Sequence, residues 1–145
     1  MVLIKIKEKK MLKKMLASLF VLMLLILTSC GGDKGVTITI KPDGNNMSYA
    51  TTSFTVKANQ EVTLVMNNTA TMEMMKHNIV ILDDESKINE IGMQAVTAPG
   101  YLPEHSAIIA ATPMANAGET TQVVFVAPEK GSYPFICTFP GHYGM

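Results

Sequence analysis

The sequence predicts an all-β fold, a Greek-key β-sandwich with one short helical insertion. Three observations predict it. After residue 35 the apolar residues fall in short runs, several with strict alternation. Turn clusters of Gly, Pro, Asn and Asp separate those runs about every 8 to 12 residues. Helical periodicity occurs in one stretch only, between residues 87 and 97.

The elements follow in order. VTITI alternates and puts Val36, Ile38 and Ile40 on one face of a first strand. KPDGNN is a turn cluster. SFTV (Ser53 to Val56) and EVTLVM (Glu61 to Met66) are β-rich runs separated by KANQ, the spacing of a hairpin. HNIVIL (His77 to Leu82) is a further strand, stopped by the acidic DDES. In KINEIGMQAV the residues Ile88, Ile91 and Ala95 recur at three and four, which predicts a helix. TAPGYLPEHS is loop, AIIAA a short strand, and Thr120 to Val126 a strand ended by Pro128. GSYPFIC runs as a strand into Cys137. The count is seven or so strands.

The 145 residues do not form one unit. Lys13 and Lys14 precede an apolar run from Met15 to Leu27, the layout of a secretory signal too short for a comfortable membrane span. Leu27-Thr28-Ser29-Cys30 resembles a bacterial lipobox, with cleavage before Cys30 and lipid on its thiol. Residues 1–29 are therefore expected to be a lipoprotein signal peptide, 30–35 a lipid-anchor tether, and 36–145 the folded domain. Met1 and Met11 both fit as the start. The implied location is bacterial and exported, anchored to a membrane and facing the periplasm or the cell surface.

Removing the leader changes the charge. The whole chain is formally neutral, but from Cys30 onward six lysines oppose eleven acidic residues, a net −5. No basic patch remains for nucleic acid. A partner with a positive docking face suits this sign better. With Cys30 assigned to lipid, Cys137 is a lone thiol in an oxidising compartment, which calls for burial or metal ligation.

Metal chemistry has a concrete pattern. Cys137 and His142 stand with four residues between them, and His77-Asn78 opens an earlier strand. A trigonal His2Cys set suits a blue-copper electron-transfer centre, because thiolate binds copper covalently and imidazole tolerates both Cu(II) and Cu(I). Zinc can also occupy Cys-His-His. A bare cysteine is more often a buried structural thiol. His105, in YLPEHS, has no partner in pattern and reads as solvated. The methionines read mostly as packing, although MEMMKH (Met72 to His77) places thioethers beside a histidine and suits Cu(I) capture. That leaves a second reading, a periplasmic Cu(I) carrier or storage protein binding through Cys, His and Met. A multicopper oxidase or nitrite reductase needs more histidines than the three present.

YPFICTFPGHY resembles the copper loop of the azurin and auracyanin branch of the cupredoxins, or blue (type 1) copper proteins. MKHNIVIL resembles the strand carrying the first histidine, and the likeness covers roughly residues 36 to 145. The resemblance implies a cupredoxin-like eight-stranded sandwich, one type 1 copper per chain, and one-electron transport with no enzymatic reaction. It implies redox partners such as cytochromes or copper oxidases and reductases. Carried over by position, His77, Cys137 and His142 are the metal ligands and Asn78 ties their segments together by hydrogen bonds. Met75, Phe139, Pro140 and Tyr143 form an apolar docking patch around the His142 ring edge. Three departures stand out. Lys76 replaces a glycine before the first histidine, so its carbonyl is not assigned as a ligand. The azurin disulfide is absent. The axial methionine is expected one position past the chain end, with Met145 the candidate that the chain contains, and the last strand is expected to be missing.

Overall fold

The computed structural model describes residues 34–144. The expected signal peptide, the Cys30 lipidation site and Met145 lie outside the described residues. Six strands and one helix follow in chain order: β1 Val36–Ile40, β2 Glu61–Asn67, β3 Val80–Leu82, α1 Ile88–Ala95, β4 Ile108–Ala111, β5 Thr120–Val126 and β6 Phe135–Ile136. They form two three-stranded sheets, β1-β2-β5 and β4-β3-β6. The all-β sandwich with a short helical insertion is the architecture expected from the pattern.

β2 is the centre of the first sheet. Its alternation buries Val62, Leu64 and Met66 and leaves the residues between them more exposed. It pairs with β1 in parallel, from Val36 opposite Val62 to Ile40 opposite Met66, and with β5 antiparallel. β3 behaves differently, because all three of its residues are buried. Ile81 enters the cluster between the sheets with Ile40, Leu64, Met66 and Ile79. Val80 and Leu82 enter a second cluster with Ile91 of α1 and Ile136 of β6. A strand covered on both faces reads as a continuous apolar run, which is why HNIVIL does not alternate. Asp84 caps the turn before α1, its Oδ1 accepting from the Ser86 amide at 2.8 Å.

Several expectations are corrected. Ser53–Val56 is no strand and forms no hairpin with β2, because β2 takes β1 and β5 as its neighbours. Phe54 of that segment packs on the core, with its ring 5.6 Å from that of Phe135. The segment lines a cavity of about 930 Å³ that residues 128–135 border on the other side. The strand expected from His77 begins only at Val80. The Ile79 amide donates to the Thr112 hydroxyl at 3.0 Å in place of a ladder carbonyl, and His77 forms an isolated bridge with Ala115. The strand expected into Cys137 is two residues long. Pro134 has no N–H to donate, and the Thr138 amide is taken by the Asn78 side chain at 2.9 Å. The described residues thus hold six strands against the seven counted and the eight implied by resemblance.

Candidate metal centre

His77 reaches the site from a tight turn. The Met75 amide donates to Met72 O at 2.9 Å, and the buried Asn68 amide group donates to Met75 O at 2.8 Å and to Ala115 O at 3.0 Å. Asn68 therefore holds both sides of the His77 bridge. No sequence pattern marks this residue. The other two side chains come from the loop after β6. Gly141 adopts φ 90°, a left-handed conformation that glycine enters without steric cost. The His142 amide closes the loop onto Phe139 O at 3.0 Å.

The loop brings His77, Cys137 and His142 together, all buried, with one ligand atom from each within 4.8 Å of the others. Cys137 Sγ lies 3.5 Å from His142 Nδ1, and the two imidazole centroids are 4.7 Å apart. Donors about 2.0–2.3 Å from one ion have this mutual spacing. The site's polarity supports the fit. Both ring nitrogens of His77 are buried without a hydrogen-bond partner among the described residues. An unmet buried polar atom costs about 1–3 kcal/mol, so a cation bound through one of these nitrogens would remove part of a standing penalty. Two imidazoles and one soft thiol match copper. The Lys76 carbonyl is 4.0 Å from Cys137 Sγ, so the backbone before the first histidine faces the site despite the lysine side chain.

Asn78 joins the two ligand segments directly. Its Nδ2 donates to Thr138 Oγ1 at 2.8 Å and its Oδ1 accepts from the Thr138 amide at 2.9 Å. Thr138 Oγ1 donates onward to Tyr101 O at 2.6 Å. Tyr101 has φ 57°, costly for a non-glycine residue, and its ring meets Phe139 edge-on at 5.2 Å. Phe139 in turn meets His142 edge-on at 5.1 Å. On the interior side, the Tyr49 hydroxyl donates to Asn78 O. Tyr49, Thr138 and Tyr101 escape a sequence reading because their partners are 29 to 60 residues away. Met75, Phe139 and Pro140 are half-buried near the loop, while His142 keeps only 4% of its surface exposed. Tyr143 packs into the second core cluster. His105 is half-buried, accepts from the Ala107 amide at 3.1 Å and meets Glu90 at 3.3 Å, so it is more tied down than its loop composition suggests.

Burial sets the protonation states. It lowers the His77 pKa to about 4, with help from the neighbouring His142, and lowers that of His142 as well. Burial pushes the Cys137 thiol up. At neutral pH both imidazoles are therefore neutral with lone pairs available, and copper binding must displace the thiol proton. The unfolded chain protonates His77 near pH 6.5, above its folded pKa, so between about 6.5 and 4 the unfolded state binds more protons. The metal-free protein should be fully stabilised by neutral His77 above this window and should lose that share as pH falls through it. Thermal unfolding at pH 7 and 4.5 should show a larger drop for wild type than for His77→Gln. Equal drops would rule out a depressed His77 pKa.

A buried trio of two imidazoles and one thiol in a small β-sandwich is the donor set of a copper-binding protein. The family model "Copper binding proteins, plastocyanin/azurin family" matches residues 36–145, and this chain belongs to that family. It is 34% identical over 152 residues to auracyanin-A of Chloroflexus aurantiacus, spanning 92% of this chain and 93% of that protein. It is 32% identical over 106 residues to the outer membrane protein H.8 of Neisseria gonorrhoeae, covering 68% of this chain and 57% of H.8. The structure of auracyanin A, described as a "blue" copper protein, superposes with a TM-score of 0.70 at 37% identity. The match covers 76% of this chain and 92% of that one.

Proposed function

We infer that this protein is a one-electron carrier that binds one copper through His77, Cys137 and His142. The observation that carries the reading is the buried trio, with both His77 nitrogens left without partners among the described residues. Bound copper supplies the Cu(II)/Cu(I) couple; the chain supplies a fixed cage. The Asn78–Thr138 bonds and the edge-on contacts of the Tyr101, Phe139 and His142 rings resist movement of the ligands, which keeps the reorganisation cost of electron transfer low. No substrate bond is made or broken in this role. A methionine thioether would be a further soft donor to the copper, from Met145 or from the position after it.

The half-buried Met75, Phe139 and Pro140 beside His142 suit a docking patch for redox proteins such as cytochromes or copper oxidases and reductases. The acidic domain surface favours a positively charged partner. Export and lipid anchoring at Cys30 are supported by the Lys-rich start, the short apolar run and the Leu-Thr-Ser-Cys sequence. The H.8 relative is named an outer membrane protein, which points the same way.

Electrochemistry tests the function. Copper-loaded protein should cycle reversibly at an electrode, and His142→Gly should slow electron exchange with a cytochrome at least tenfold while the fold persists. A protein that takes Cu(I) and releases it on oxidation is a copper carrier, and the electron-transfer reading fails.

A further inference from the structure

Gly92 lies inside α1, where glycine costs about 1 kcal/mol relative to alanine. Its backbone has no positive φ that would require glycine. The neighbouring side chain does require it. A Cβ at Gly92 would lie 2.5 Å from Tyr143 Cγ and 2.6 Å from both Cδ atoms. The Tyr143 ring therefore rests against the helix backbone. Tyr143 directly follows His142, and Ile136 directly precedes Cys137. Both pack in the cluster that contains Ile91 of α1. The cluster that contains Ile91 thus borders the metal loop at both of its ends, and Gly92 meets the second end directly.

We infer that α1 is the platform that positions the metal loop, with the Gly92–Tyr143 contact setting the placement of the His142 ring. Gly92 and Tyr143 are positioning residues, and the inference rests on the copper reading above. Adding a methyl group at Gly92 must push the ring off the helix, since neither the helix backbone nor a ring at 2.5 Å can absorb it. The ring is carried on the residue next to His142, so displacing it shifts the backbone on which the His142 ring is mounted.

The test compares wild type, Gly92→Ala, Tyr143→Ala, Tyr143→Phe and the Gly92→Ala/Tyr143→Ala double variant. In the metal-free protein, hydrogen exchange of the His142 amide should quicken about tenfold in Gly92→Ala. In the copper-loaded protein, transfer of Cu(I) to a chelator should quicken about tenfold, and the midpoint potential should shift. Tyr143→Phe, which keeps the ring, should match wild type. In the Tyr143→Ala background Gly92→Ala should add nothing, because the clash has been removed. The inference is overturned if Gly92→Ala lowers stability alone and leaves amide exchange, copper release and potential unchanged. It is equally overturned if Gly92→Ala has its full effect without the tyrosine ring. If Gly92→Ala does not fold, Tyr143→Ala alone decides, by the same three measurements. Wild type that takes up no copper refutes the functional reading instead, and the amide exchange still reports on the helix contact.

Discussion

Copper loading should raise the thermal midpoint of the domain by about 15 °C. The site's own chemistry sets this expectation. Without metal, His77 is buried with two ring nitrogens lacking hydrogen-bond partners among the described residues, and His142 and Cys137 crowd beside it. A ligand present at about a thousand times its dissociation constant stabilises the folded state by about 4 kcal/mol. For a domain of this size each kcal/mol moves the midpoint by roughly 4 °C. Calorimetry before loading, after loading and after removal with a chelator would measure the shift and its reversal. A shift below about 3 °C would mean that the trio does not hold copper tightly. His77→Ala should abolish most of the gain and also remove the buried imidazole's penalty from the metal-free state. Its metal-free form should therefore not lose stability in proportion to the volume deleted.

Asn78→Ala is the substitution expected to do most damage without touching a ligand. It deletes two buried hydrogen bonds to Thr138, leaving the Thr138 amide without its partner and the hydroxyl with only its bond to Tyr101 O. The unmet amide costs about 1–3 kcal/mol and the second lost bond about 1, so the loss should be about 2–4 kcal/mol. That is a large share of a typical domain's stability. Because the same bonds join the His77 segment to the Cys137 loop, copper affinity should fall about 10- to 100-fold. Denaturant unfolding of the metal-free protein and competition with a chelator measure the two effects separately. Thr138→Ser, which keeps the hydroxyl and the amide, should show little of either. Wild-type affinity in Asn78→Ala would show that the ligand loop holds its shape without this tie.

What could be read from the chain alone depended on distance in sequence. Local periodicity identified β1, β2, β5 and α1, since each buries one face and the pattern records it. It overreached at Ser53–Val56, whose β-rich composition describes a residue preference and not the presence of a neighbouring strand. It also overran at His77 and Cys137. There, side-chain hydrogen bonds from Thr112 and Asn78 take amides that a ladder would otherwise use.

The site divides in the same way. Cys137 and His142 are five positions apart, so one loop carries both, and their spacing is visible as a motif. That His77 meets them, that Asn68 ties its bridge to Ala115, that Tyr101 bends to accept from Thr138, and that Tyr143 needs a glycine on α1 are long-range facts. The sequence by itself determined the β-class, the short helix and the donor chemistry, because residue type and period encode burial and ligand softness. Only the tertiary structure decided which segments face one another around the metal. Contacts spanning 37 to 60 residues depend on how the two sheets and α1 pack, and no local pattern records that packing.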